Sequence, residues 1–470
     1  MLYLFIMNLI LGYDIVTYNG ELPNCLDPKF LPTVYEGGKF DFSKIRTIFN
    51  ERYKCDSCVF NDGTFDNLSE KKSLHEILKD KKNGLRYKWF YLIEPHSGLD
   101  LFFGLHKIHN TFAMEFMSEI AINEIVNGDG NLLIHYTVDG GLGVNLENFQ
   151  KIIDFTRNHH IPDEKVYFIF SDFKLKDNFN KFNVNYKVFD FNFYLIFKSQ
   201  EFNNIIKKRP FIELNKSSIV MPEDFINSIG SNKKDFLLLT RIAKLHRYML
   251  LFQMYNLGLD NNLISWDKNF FRGDLIEKMR KYVENDDFAN LLETTSKYVD
   301  VKDIVNVSGY GFENKEIYLN TYISIVTESI FFQSESDPDK LSDFPTGFLS
   351  EKIWKPIGHC QPFILVGPSK SLKYIKEELG FKTFHPYINE SYDNENNDLK
   401  RLELIQIEIE KFSKKTKEEK DQFLNDVKEI CIYNHKQFLK YGDDEYILTK
   451  KSMYFNMIDF LIGNTRNKFI

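Results

Sequence analysis

The chain has 470 residues, 43% of them hydrophobic, with 45 Phe and 25 Tyr; this excludes an intrinsically disordered protein and exceeds what one hydrophobic core covers, so two domains are expected. A formal charge of -7, from 60 basic and 67 acidic residues, argues against a nucleic acid or other polyanion as the main partner, because gripping a phosphate backbone needs a net basic face. A local basic pocket around one small anion remains compatible with that balance.

The opening "MLYLFIMNLIL" is too short an apolar run to span a bilayer, and it lacks the basic start and small-residue cleavage site of a secretory signal. It reads as a first strand, and no transmembrane span is expected. Residues 1–85 are otherwise irregular, punctuated by Pro and Gly, and form an N-terminal region packed on the first domain. Cysteines 25, 55, 58, 360 and 431 are few, odd in number and mostly far apart, which suits reduced thiols and a cytoplasmic location. Cys55 and Cys58 form a single CxxC without two further ligands at credible spacing, so no metal is expected there.

From "RYKWFYLIEPHSG" onward the alternation is regular. A strand over 87–93 is followed by a helical stretch in "TFAMEFMSEIAINEIVNGDG", the strand "NLLIHYTVDGG", the helix "LENFQKIIDFTRNHHI", the strand "KVYFIFSD" and a further strand in "VNYKVFDFNFYL". Strands alternating with helices imply a parallel sheet covered on both faces, so 86–230 reads as an N-terminal Rossmann-like domain, its polar end at 198–234 crossing to the next. The grammar then repeats over 231–400. "KDFLLLTR", "NLISWD", "IYLNTYISIVTES" and "QPFILVG" read as strands, and "KLHRYMLLFQMYNLGL", "SEKIWKPIGHC" and "SKSLKYIKEELG" as helices. Residues 401–470 are expected to finish the fold as amphipathic helices with solvated charges.

In an open parallel sheet, ligands collect at the carboxyl ends of the strands, where helix N-termini point unpaired amides outward. Arg241 ends one such strand, with Lys244, His246 and Arg247 at the start of the next helix; Thr327, Glu328 and Ser329 end another. Ser350, a candidate N-cap, opens the helix that carries Glu351, Lys352 and, one turn on, Lys355. A capped helix with a surface ion pair accounts for an isolated Ser-Glu-Lys. Here the triad stands between buried-type strands with a second set of cations at an equivalent strand end, which suits a diphosphate gripped from both sides. Neither a GxGxxG nor a Walker loop accompanies the strands, which disfavours a dehydrogenase or an NTPase.

On the elements "YISIVTES", "SEKIWKPIGHC" and "QPFILVG", the segment from about Lys234 to Lys411 resembles the donor-binding domain of GT-B glycosyltransferases. It is most similar to the alpha-1,3-fucosyltransferase family, and the likeness extends to uncharacterised viral and bacterial glycosyltransferase-like proteins. The resemblance covers well under half the chain. It implies two Rossmann-like domains facing across a cleft, and no cofactor beyond a nucleotide-diphosphate sugar as donor substrate, with no obligatory metal. It also implies a donor-phosphate role for Lys352, a ribose or sugar role for Glu351, and a diphosphate-steadying role for Arg241 or Arg247.

The first half offers only position and residue type. Glu94 follows the strand "FYLI", and Asp139 follows "LLIHYTV" ahead of Gly140, Gly141 and Gly143; these are the two carboxylates placed to take an acceptor hydroxyl's proton in an inverting transfer. Each is also well explained as a loop residue. The expected function is thus transfer of a sugar from a nucleotide-diphosphate donor to a glycan or other hydroxyl acceptor. The alternatives are a non-catalytic glycan- or nucleotide-binding protein of the same architecture, and a structural protein.

Overall fold

The computed structural model describes residues 9–13, 35–36, 39–40, 69–93, 117–136, 146–207, 219–240, 242–271, 274–283, 285–297, 314–333, 345–447, 449 and 451–462. The chain divides into two compact units, Met1–Phe193 with Ile447–Ile470, and Tyr194–Tyr446. Both are α/β. Among the described residues no helix is long and apolar enough to cross a membrane.

The first unit holds a six-stranded sheet. Its strands are β1 (Leu9–Tyr13), β4 (Ser69–Ser73), β5 (Trp89–Ile93), β6 (Gly130–Tyr136), β7 (Val166–Phe170) and β8 (Lys187–Asp190), ordered β4-β1-β5-β6-β7-β8. Every pairing is parallel, and a small antiparallel pair, β2 (Tyr35–Glu36) with β3 (Lys39–Phe40), lies outside it. The strand "VYFIF" of β7 is buried at every position, the signature of a strand covered on both faces. The helices are α1 (Leu74–Lys82), α2 (Glu119–Asn127), α3 (Leu146–Asn158) and α4 (Leu175–Asn180).

Three elements here differ from the sequence reading. The edge strand β4 and α1 lie in the stretch read as irregular, and "FNFYL", read as strand, opens a helix, α5 (Phe193–Ile206). That helix opens on a continuous apolar run, FYLIF, and is buried on most sides, with Phe193, Tyr194, Leu195, Ile196, Phe202 and Ile205 but also Lys198, Ser199 and Asn203 buried, so it lacks the one-sided stripe that distinguishes a helix from a strand in sequence.

The second unit continues with α6 (Pro222–Ser228), β9 (Lys234–Leu239), α7 (Leu245–Asn256), β10 (Leu263–Ser265), α8 (Asp274–Arg280), α9 (Asp286–Thr294), α10 (Glu316–Leu319), β11 (Thr321–Thr327), α11 (Glu351–Gly358), β12 (Phe363–Val366) and α12 (Ser371–Glu377). Two long helices follow, α13 (Asp398–Ser413) and α14 (Lys417–Tyr441). The turn α15 (Asp444–Ile447) leads to α16 (Met453–Ile462), which rejoins the first unit beside β1 and sets Phe460 on Tyr167 at 5.6 Å. The four strands pair in parallel in the order β10-β9-β11-β12. The start of "IYLNTYISIVTES", read as strand, is instead the helical turn α10.

The helix α14 begins with a capping box in which Thr416 and Glu419 satisfy each other's backbone amides. At its other end Ser199 and Asn203 of α5 donate to the carbonyls of Phe438 and Leu439, taking up groups that a helix C-terminus leaves unpaired. Gly442 permits this approach. A Cβ there would stand 2.3 Å from the Gln200 nitrogen and 2.4 Å from the Ser199 carbonyl carbon. Gly442→Ala is therefore expected to destabilise the protein by about 1–3 kcal/mol or more, because rigid backbone has to move; a thermal melt of the variant checks it.

Candidate functional site

In the second sheet, β9 connects through α7 to β10 on one side, whereas β11 connects through α11 to β12 on the other. The strand order therefore reverses between β9 and β11, and the crevice at their carboxyl ends is where such sheets bind ligands. Right-handed crossovers running in opposite directions put α7 and α11 on opposite faces, with both N-termini at that crevice.

Glu328, one residue beyond β11, joins the two helices and has no exposed surface. Its carbonyl accepts from Arg247 Nη2 at 3.1 Å and is 3.2 Å from His246 Nε2, both on the first turn of α7. Its carboxylate Oε2 accepts from the backbone N–H of Ser350 at 3.0 Å and from the Ser350 hydroxyl at 2.5 Å. Ser350 is the N-cap of α11, as its sequence position predicts, and its hydroxyl accepts from Lys352 N at 3.4 Å. The Lys352 ammonium spends its three N–H donors on Ser350 Oγ at 3.0 Å, Glu351 Oε1 at 3.0 Å and Ser329 Oγ at 3.2 Å.

Sequence-distant groups thus meet at one strand end: Arg247 and His246 on one side of Glu328, Ser329, Ser350, Glu351 and Lys352 on the other. Lys244 is the extended N-cap residue of α7, without a side-chain cap. Lys355 lies close enough to Glu351 to act on its ionisation. Glu94, Asp139 and Arg241 lie outside the described residues.

The cations differ in what they present. Arg247 is 4% exposed and also donates to the carbonyls of Ile242 at 2.8 Å and Thr327 at 3.0 Å, so it fastens the loop after β9 to the end of β11. His246, counted with the cations in the sequence, stands where the charged form is disfavoured. Burial, then the neighbouring Arg247 charge, hold its pKa well below the usual imidazole value. Lys352 keeps 27% of its side chain exposed, so, unlike Arg247, it is partly open to solvent at this strand end.

The carboxylates are tuned in opposite directions. Burial raises the pKa of Glu328 against the opposing pull of Lys352. For Glu351 burial acts upward too, but Lys352 and Lys355 outweigh it and hold the group at about 2. A carboxyl depressed from 4.5 to about 2 adds stability that is complete above its unfolded value and is lost as pH falls through the folded one. Glu351→Gln is expected to cost on the order of 3 kcal/mol at neutral pH and to flatten the fall in stability below pH 4.5; denaturant melts across pH measure it.

Several buried polar atoms at this edge have no partner among the described residues: Thr240 Oγ1, Thr327 Oγ1, His246 Nδ1 and Glu328 Oε1. Extending the β9–β11 register, in which Leu238 pairs with Ile325, sets Thr240 opposite Thr327 on one face. Unpaired buried groups cost about 1–3 kcal/mol each, and they collect where the strand ends meet the first turns of α7 and α11.

The sequence reading missed the support behind the site. Arg401, 1% exposed, pairs with Asp398 at 2.8 Å, donates to the carbonyls of Phe331 and Glu395 at 3.0 Å each, and lies 4.4 Å over the Phe331 ring. Phe331 in turn stacks on His246 at 5.4 Å. A signal exists: Asp398, Arg401, Leu402, Ile405, Ile409 and Phe412 form the buried stripe of α13, so both charges fall on the apolar face. Among the described residues no group of three or more His, Cys, Asp and Glu side chains could hold a metal ion. Comparisons of the chain with protein families, with curated proteins and with solved structures found no match.

Proposed function

We propose that the protein is a glycosyltransferase of the two-domain GT-B kind, which binds the diphosphate of a nucleotide sugar at the β9–β11 strand ends and transfers the sugar to a hydroxyl acceptor. The observation that carries the reading is the meeting of two helix N-termini and the Lys352 ammonium around Glu328. Helix N-termini and a lysine are complementary to a phosphate. A phosphate oxygen would take over one N–H of Lys352, the longest bond being the one to Ser329.

In the proposed reaction the acceptor oxygen bonds to the anomeric carbon as the bond from that carbon to the diphosphate oxygen breaks. The electron pair leaves with the diphosphate, whose growing charge Lys352 and the helix amides stabilise. The acceptor's proton passes to a carboxylate, for which the sequence offers Glu94 and Asp139 in the first unit. Inversion at the anomeric carbon follows from a single displacement.

A heat-shift screen with UDP, GDP, CDP and dTDP sugars tests the reading, because a ligand bound to the folded state alone raises the melting temperature. One nucleotide family should stabilise the protein and release its diphosphate when an acceptor is supplied. Stabilisation without turnover under any acceptor would make the protein a binding module, and no response to any nucleotide would overturn the reading.

A further inference from the structure

We propose that Glu328 is the positioning residue of this site: acting through Ser350, its carboxylate sets where the Lys352 ammonium stands, without touching a ligand itself. The functional consequence rests on the reading of Lys352 as the phosphate-binding cation, whereas the positioning itself does not.

The hydroxyl of Ser350 has one donor and two acceptor sites. Glu328 Oε2 takes the donor at 2.5 Å and, in addition, the Ser350 backbone N–H at 3.0 Å. With its proton committed to Glu328, the hydroxyl can only accept, and both acceptances come from Lys352, at Nζ and at N. Without the carboxylate, that proton is free to turn toward another oxygen, and the lone pair facing the ammonium turns with it.

Glu328 is also placed to hold this arrangement still. Its carbonyl is fixed by His246 and Arg247 from the other helix. Its Cγ lies 3.4 Å from where a Cβ on Gly367 would stand, so the exit of β12 closes over it. Its second oxygen, Oε1, is buried with no partner among the described residues. A carboxylate kept half-satisfied in the interior costs stability that an apolar side chain would spare. Such a cost suits a group retained for orientation, and a buried polar network specifies geometry only while its members stay bonded.

The test is the reaction of Lys352 with an amine acylating reagent in the ligand-free protein at fixed pH, quantified by peptide mass spectrometry, with exposed Lys373 on α12 as internal reference. In Glu328→Leu and in Ser350→Ala the rate at Lys352 relative to Lys373 is expected to rise about 2- to 10-fold, the factor set by one net hydrogen bond. Glu328→Gln, whose amide oxygen still accepts from Ser350, is expected to return it to the wild-type value. Ser350→Ala loses the N-cap and the hydroxyl's bonds to Glu328 and Lys352 but keeps the backbone N–H on the Glu328 carboxylate, so it perturbs the fold less and the test survives if Glu328→Leu fails to fold. Unchanged relative labelling in Ser350→Ala would overturn the proposal, as would a Gln variant that labels like the Leu variant. Titration of the same proteins with GDP and UDP separates the two readings. Altered labelling with a wild type that binds neither nucleotide, nor any other in the screen, supports the positioning and overturns the donor reading. Altered labelling with nucleotide affinity weakened by a similar factor supports both.

Discussion

Replacing Lys352 by Ala is expected to weaken binding of the cognate nucleoside diphosphate by about 10- to 100-fold, the worth of one charge-assisted hydrogen bond, and to abolish turnover of the sugar donor, while the fold stays intact. The separation of the two effects follows from where the residue sits. Its ammonium is held by Ser329, Ser350 and Glu351 at 3.0–3.2 Å with 27% of the side chain exposed, so removing it costs stability chiefly through Glu351, which keeps Lys355 as a neighbouring cation. The helix beneath it is held separately, through the Glu328 carboxylate on Ser350 and the buried Ile353, Trp354 and Ile357. Isothermal titration with the nucleotide and a thermal melt of the same sample measure both quantities. Wild-type affinity in the variant would remove Lys352 from the donor site.

The opposite pattern is expected at Arg401. Its guanidinium is 1% exposed and pairs with an Asp398 that is itself 4% exposed. Arg401→Ala leaves that carboxylate buried with its other oxygen bonded to Gln333 N, and it frees the carbonyls of Phe331 and Glu395. Removing one partner of a buried ion pair costs about 3–5 kcal/mol, which corresponds to a fall in melting temperature of roughly 10 °C for a unit of this size. The same variant removes the cation beneath Phe331, and with it the backing of His246. Nucleotide affinity should therefore fall only as far as the loop after β9 loosens, less than in Lys352→Ala. A melting temperature within about 2 °C of wild type would show that the pair is not the support described.

The contrast between these residues shows which features the sequence makes visible. Apolar runs such as "VYFIF" and "QPFILVG" mark strands covered on both faces, and those at β7 and β12 stand where their pattern puts them. Ser350 as N-cap, with Glu351 and Lys352 in the first turn, is equally visible, because capping is a local matter. The strand β4 reads "SEKKS"; it lies at the sheet edge, where charged residues are tolerated and the apolar signal vanishes. The fate of Arg247 is decided by carbonyls 80 and 81 residues further on. No spacing rule announces those contacts with backbone carbonyls. Arg401 was hidden by its charge, although its place on the stripe of α13 marked it as buried.

The claim on which the rest depends is that the crevice between the ends of β9 and β11 receives an anionic nucleotide. Hydrogen exchange of the protein, with and without a saturating nucleoside diphosphate, addresses it at the level of single peptides. Added protection is expected in the segments that carry the first turns of α7 and α11, around residues 244–248 and 349–353, and at Thr327–Ser329 between them. Binding that leaves these segments unchanged while protecting others would contradict it.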